Sequence, residues 1–363
     1  MALGILVSVM AVQASYAKSR EKGQSGTFGA CVSGAYGLSY TKTALGLENN
    51  SSVLFVGADG AGGDAEVNYA LTDHLTVGIS GGYASRARKW NTSSDAVVYY
   101  SSYVVTPPVT TVTRDGQAGY YPALTGSSEI SQTYIPALLN LRFATSLAGL
   151  SQSLDAVRPF AGFGVGYFNP GDQTFKSSSA GPTSYKDRDG KVTSSYDTTG
   201  TSDSTIKFKG TLGYTGEIGI GYAVSDSITL FAGVRAVMVS FRPASGTTTT
   251  NSTYVSKSSA GVTTSSDQST SAEDTTYADT RQDRNIPPTG GTTTTTTTVG
   301  KVTTSVTNQT YANGDTYTST TVTDTSGTYP VSTSTSKSVR TRTTPSDTPL
   351  DSLEVRAGVA MRF

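Results

Sequence analysis

The sequence predicts an all-β chain folded as an eight-stranded, antiparallel, up-and-down transmembrane β-barrel with long extracellular loops. Three observations predict it. Eight segments alternate apolar and polar residues with a period of two, each near the 9–11 residues that a tilted membrane strand requires. The connections between them alternate long and short, as in barrels with tight turns at one rim and loops at the other. The composition suits strands better than helices: 363 residues, only 15% charged, with 39 glycines, 21 tyrosines and abundant Thr and Ser.

The chain opens with an apolar run from Ala2 to Val12, then Ser15-Tyr16-Ala17, a small-x-small pattern suited to leader cleavage. The run is too short to span a bilayer, so residues 1–17 read as a signal peptide and residues 26–363 as the barrel domain. A basic n-region is missing from this leader.

The first strand, near 27–40, sets Phe28, Ala30, Val32, Tyr36, Leu38 and Tyr40 against Thr27, Cys31 and Ser33. The second, near 64–71, opposes Ala65, Val67, Tyr69 and Leu71 to Asp64, Glu66 and Asn68. After Thr72-Asp73, the third, near 74–88, places Leu75, Val77, Ile79 and Tyr83 opposite Thr76, Ser80, Arg86 and Arg88. The fourth, near 133–143, and the fifth, near 157–168, each contain a proline, Pro136 and Pro159, which predicts a lost ladder hydrogen bond or a strand end. The sixth, near 206–222, puts Phe208, Leu212, Tyr214, Ile218, Ile220 and Tyr222 outward and Lys207, Lys209 and Glu217 inward. The seventh, near 228–241, turns Arg235 inward, and the eighth, near 352–363, turns Glu354, Arg356 and Arg362 inward.

Loops are expected near 41–63, 89–131, 169–205 and 242–349, all at one rim. Tyr69 and Tyr222 fall at the opposite rim, and Tyr83, Tyr167 and Tyr214 toward the loops, as an aromatic girdle would. Tyr214 and Tyr222, eight residues apart, span roughly 20 Å at about 40° tilt, near the ~25 Å apolar band of such barrels. Trp90 is expected at or just beyond the outer rim.

At this point the chain resembles the OmpA-type family of eight-stranded outer-membrane barrels, which includes the OmpX, OmpW and opacity-protein types. The residues carrying the likeness are "AEVNYALTDHLTVGISGGY", "YIPALLNLRF", "RPFAGFGVGYF", "GEIGIGYAVSDSITLFAGVR" and the terminal "VRAGVAMRF". The resemblance implies a bacterial outer-membrane location, with outer-membrane lipid and the barrel-assembly machinery as partners. It also implies that Phe363 is the aromatic assembly signal. The periplasmic peptidoglycan-binding domain that OmpA itself carries has no counterpart in these residues.

Inside the barrel, Glu66, Glu217 and Glu354 face Arg142, Arg158, Lys209, Arg235 and Arg356 as the expected lumen charge network, with Asp64 and Lys207 also inward and Arg86 and Arg88 higher up. Glu217 and Arg235 stand at one height across a short turn, which predicts an ion pair between them. The lumen therefore reads either as a structural plug or, by its cationic surplus, as a narrow anion-leaning path.

A net charge of zero gives no footprint for nucleic acid. One histidine, His74, and one cysteine, Cys31, leave no metal or disulfide constellation, and no cofactor, metal or catalytic set is expected. The low-complexity loops hold hairpin signals at Asp115-Gly116, Asp189-Gly190 and Asn313-Gly314, so some should rise as β-hairpins. The expected role is an anchor displaying Thr/Ser-rich loops to an extracellular surface ligand. A small-solute or ion channel and a secreted β-sandwich are the alternatives.

Overall fold

The computed structural model describes residues 25–39, 43–47, 51–55, 59–93, 97–101, 117–121, 125–145, 156–186, 191–278, 292–311, 314–343, 348–349 and 351–363. The leader at 1–17, the short turn expected around 148–155, and the Asp115-Gly116 and Asp189-Gly190 signals lie outside them.

Strand β1 (Phe28–Ser39) is followed by a small hairpin, β2 (Thr43–Leu47) and β3 (Ser51–Phe55). Next come β4 (Gly60–Ala70), β5 (Leu75–Ser93), β6 (Val97–Ser101) and β7 (Gln117–Tyr121). Strands β8 (Thr125–Ala144) and β9 (Val157–Pro170) lead into a long hairpin, β10 (Gln173–Lys186) and β11 (Val192–Lys209). After β12 (Thr211–Ala223) comes the longest strand, β13 (Ile228–Ser258), then β14 (Thr263–Ala278). The rest are β15 (Thr293–Val299), β16 (Val302–Thr310), β17 (Thr316–Asp324), β18 (Val331–Thr343), β19 (Thr348–Pro349) and β20 (Ser352–Arg362).

Within this set, β1, β4, β5, β8, β9, β12, β13 and β20 pair antiparallel in that order, and β20 pairs back onto β1. The ring leaves no open edge, which disposes of the unpaired backbone groups that an edge strand would present. Its two faces follow the alternation in the sequence. Ile79 (70% exposed), Leu212 (68%) and Ile218 (66%) point out, while Asp64, Glu66, Ser80, Arg235, Glu354 and Arg356 are buried inside.

Pro136 has the expected cost. The β5–β8 ladder runs to Gly81↔Ala137 and resumes at Ala84↔Tyr134, with the intervening positions unpaired. Pro159 sits near the start of β9, where its carbonyl still accepts from Thr145 N at 3.1 Å.

The described residues hold twenty strands rather than eight, and the excess lies in the connections. β5, β8 and β13 continue upward past the ring, and the β10–β11 hairpin fills the space between upper β8 and upper β13. Outside that comes a run β13-β14-β18-β17-β16-β15, in which β14 and β18 are parallel and every other pairing is antiparallel. The parallel pair arises because the β15–β17 meander is laid down on the far side before β18 returns to β14. Thr-rich segments, loop-like by composition, become strands here because each wall strand already offers an aligned row of backbone donors and acceptors to zip against. Tight turns are made where glycine supplies positive φ: Gly300 (φ 63) between β15 and β16, and Gly314 (φ 86), of the expected Asn-Gly pair, between β16 and β17. In the next turn, hydrogen bonds from the Ser326 hydroxyl and its backbone N–H hold the Asp324 carboxyl below the usual carboxylate range.

Candidate functional site

The lumen is the site the ring builds. One zigzag of alternating charges crosses it: Arg86, Glu354, Arg235, Asp64, Arg356, Glu217, Arg142, Glu66. Arg86 Nη2 lies 2.7 Å from Glu354 Oε1, and Arg235 Nη2 lies 2.6 Å from Glu354 Oε2. Arg235 Nη1 meets Asp64 at 2.7 Å, and Arg356 Nη2 meets the same carboxylate at 2.6 Å. Arg356 also pairs with Glu217, and Arg142 closes the line on Glu217 at 3.5 Å and Glu66 at 3.6 Å. Four arginines thus meet four carboxylates.

Polar side chains finish both ends. Tyr134 donates to Glu354 at 3.0 Å, and Asn140 donates to Glu66 at 3.0 Å and to Ser80 at 2.8 Å. Ser33 donates to Asp64 at 2.8 Å and accepts from Arg356 at 2.7 Å. Taking an ion out of water costs several kcal/mol, and the cost is recovered only when neighbouring charges and hydrogen bonds replace the water. Each interior member of this line has an opposite charge on both sides.

Glycines make the room. At Gly37 on β1, an added Cβ would overlap the Arg86 guanidinium, and at Gly164 on β9 it would come 2.5 Å from both Asn140 Oδ1 and Thr215 Oγ1.

Toward the long loops the charge line gives way to an apolar cluster inside the barrel. Ile130, Tyr134, Leu138, Phe168, Val237, Val239 and Phe241 are buried there, with Trp90, Phe175, Ile206 and Phe208 packed against them. Phe241 is fully buried. The lumen is therefore filled twice, by ions and then by side-chain hydrocarbon.

Of the charges expected inside, Glu66, Arg142, Glu217, Arg235, Glu354 and Arg356 meet in this line. Arg86, expected inward and higher up, is its terminal cation at the loop-side end, beside Tyr134. Lys209 and Lys207 are corrections: both are exposed, and Phe208 between them turns inward onto the cluster. The strand breaks at Gly210, and the side-chain phase flips there, so that Leu212 and Tyr214 face out again. Glu217 and Arg235 do face each other in the ladder, but neither pairs with the other. Their side chains reach across the lumen, where each finds two opposite charges rather than one. Trp90, expected at or just beyond the outer rim, lies on the extension of β5 past the ring and turns inward against Phe175 (centroids 6.2 Å apart). Arg158 stands below the line, apart from it, at the short-turn mouth.

On the outer surface, Tyr83, Tyr167, Tyr214 and Tyr222 are 50–55% exposed, and Tyr69 packs against Phe28 in a tilted pair with centroids 4.9 Å apart. Phe363 is 44% exposed, and its N–H donates to Phe28 O at 2.8 Å, joining the last residue to the first strand. A continuous apolar outer wall around a charged interior inverts the order of a water-soluble domain. In a wall of strands it satisfies the bilayer's demand for a closed backbone ladder. The barrel is built to sit in a lipid bilayer.

The signal that betrays the apolar cluster is present in β13. Beyond Arg235 the inward positions read Val237, Val239 and Phe241 while the outward ones still read Ala236 and Met238. Both faces are apolar there, which a lipid-facing strand over a wet lumen would not be.

No protein-family model matches the chain, and no curated protein matches it. Among solved structures it is similar to the outer-membrane protein AlkL in lipid bilayers, at 13% identity and a TM-score of 0.29, over 96% of this chain and 95% of that one. It is also similar to the outer-membrane protease OmpT of Escherichia coli, at 9% identity and a TM-score of 0.24, over 95% and 99%. A third is the COG4313 outer-membrane channel of Pseudomonas putida F1, at 9% identity and a TM-score of 0.20, over 93% and 96%. Superpositions this loose carry no weight for what the chain does.

Proposed function

We propose that this chain is an eight-stranded outer-membrane barrel of the OmpA type whose membrane ring is a closed, rigid anchor. On this reading its function is contact at the cell surface through the external Thr/Ser-rich sheet. The observation that carries it is the disproportion between ring and extension. Strand β13 has 31 residues, which at about 3.3 Å each reach roughly 100 Å, several times the ~25 Å apolar band. A lumen filled as this one is needs no such superstructure to seal it, so the superstructure serves the outside.

Its chemistry favours a hydrogen-bonding surface ligand. On one face of the sheet, hydroxyls pair strand to strand: Thr294–Thr307, Thr296–Ser305 and Thr298–Thr303 at 3.2 Å each, and Thr321–Ser334 at 2.8 Å. Tyr196 and Tyr254 stack with centroids 4.7 Å apart farther along.

Deletion of Gly246 to Thr343 tests the reading, since Phe241 already pairs with Thr348 below the cut. Cells displaying the shortened protein should lose adhesion to the vector-only level while the barrel still shifts its gel mobility on boiling. Adhesion equal to that of the full chain sinks the proposal. For the same reason the purified barrel should show no current steps above baseline in planar bilayers at neutral pH, and regular steps would mean the ion line opens.

A further inference from the structure

Below the balanced line, two arginines stand without a carboxylate in contact among the described residues. A cavity of about 140 Å³ opens at the short-turn mouth, and Arg158 and Arg362 both line it. Among the described residues neither guanidinium has a carboxylate within 4.0 Å, and Arg158 Nε is buried without a hydrogen-bond partner. Arg362 feels the like charge of Arg158 against the opposite charges of Asp226 and Asp73, and Asp226 is the one acidic residue of the cavity lining. Arg142, in the roof, is already committed to Glu66 and Glu217.

The roof is aromatic. Phe160 and Phe231 meet edge to face with centroids 6.1 Å apart, and the Arg142 guanidinium lies 5.2 Å and 5.9 Å from their ring centres. Asn68 and Thr229 add neutral hydrogen-bonding groups to the wall.

We propose that this cavity is a binding site for a small organic oxyanion, a carboxylate or phosphate with a short apolar body, held by Arg158 and Arg362. Two like charges in a half-enclosed pocket repel one another, and the cheapest relief is an anion that accepts from both forks. The line above shows what this barrel does with arginines it intends to neutralise internally: Arg86, Arg235 and Arg356 each have a carboxylate at hydrogen-bond distance, and Arg142 has two at 3.5 and 3.6 Å. It does not do so here. The aromatic roof suits the ligand's carbon body, and closure by the ion line makes the cavity a blind pocket rather than a passage.

The test uses the full-length chain refolded in zwitterionic micelles, its folding verified by heat-modifiable mobility, so that failure of the barrel reading and failure of the site are told apart. Titration calorimetry at low salt with sodium phosphate and, separately, sodium hexanoate should show one saturable site for at least one of them. Phosphate alone would mark a simple oxyanion site, and hexanoate alone an amphiphile site; both support the proposal. Arg158→Gln and Arg362→Gln should each weaken binding about tenfold or more, while Lys207→Gln on the exposed outer face should not. The bound anion should raise the thermal midpoint of the parent chain and leave that of Arg158→Gln unmoved. A folded parent that binds neither probe, or affinities unchanged in Arg158→Gln, would overturn the site.

Discussion

Glu354→Gln should destabilise the folded barrel by about 3–5 kcal/mol, because it leaves two buried guanidiniums short of a counter-ion at once. One oxygen of Glu354 accepts from Arg86 at 2.7 Å and Tyr134 at 3.0 Å, and the other accepts from Arg235 at 2.8 Å. Glutamine keeps the volume, removes the charge and turns one acceptor into a donor aimed at an arginine. Arg235 retains Asp64, but Arg86 keeps just neutral acceptors such as Gly60 O at 2.8 Å. The effect is read as the shift in urea midpoint of the refolded barrel, with Glu129→Gln as control. Glu129 pairs with Lys89 at 3.0 Å on an exposed part of the wall, and its loss should cost no more than about 0.5 kcal/mol. Equal shifts for the two substitutions would mean the ion line is not a structural unit.

Gly166→Val should also be strongly damaging, by about 3 kcal/mol or by failure to assemble, for a steric reason. A Cβ at Gly166 would overlap the Ala137 carbonyl and stand 2.7 Å from Leu138 Cα. These are backbone atoms of the neighbouring strand and cannot rotate aside. Gly216→Val makes the comparison, since an added Cβ there meets nothing within 4 Å. It should be neutral or slightly stabilising, because valine loses less backbone freedom in a strand than glycine does. Recovery of boiled-versus-unboiled mobility after refolding reads both, and a well-folded Gly166→Val protein would show that β8 and β9 can part without loss.

Much of the ring is legible residue by residue. The dyads in "AEVNYAL" and "GEIGIGY" already separate Glu66 and Glu217 from Val67 and Ile218, because a strand sends successive side chains to opposite faces. Legibility stops where the phase slips or where charge partners are chosen. Gly210 reverses the faces between Phe208 and Leu212, and no pattern in the sequence marks a slip of one residue. Glu217 has Arg235 opposite it in the ladder yet pairs with Arg356 from β20 and Arg142 from β8, a choice set by where long side chains meet in the closed lumen.

The sequence by itself determined the chain's class, its alternating faces and the charged character of its interior, since each depends on local periodicity and residue chemistry. It also marked the Asn-Gly turn, because positive φ is a property of one or two residues. Tertiary structure alone decided which charges neutralise one another, which pair is left over at the short-turn mouth, and that Thr-rich connections become strands. Each of those outcomes depends on distances between residues far apart in the chain, and such distances exist only once the ring has closed.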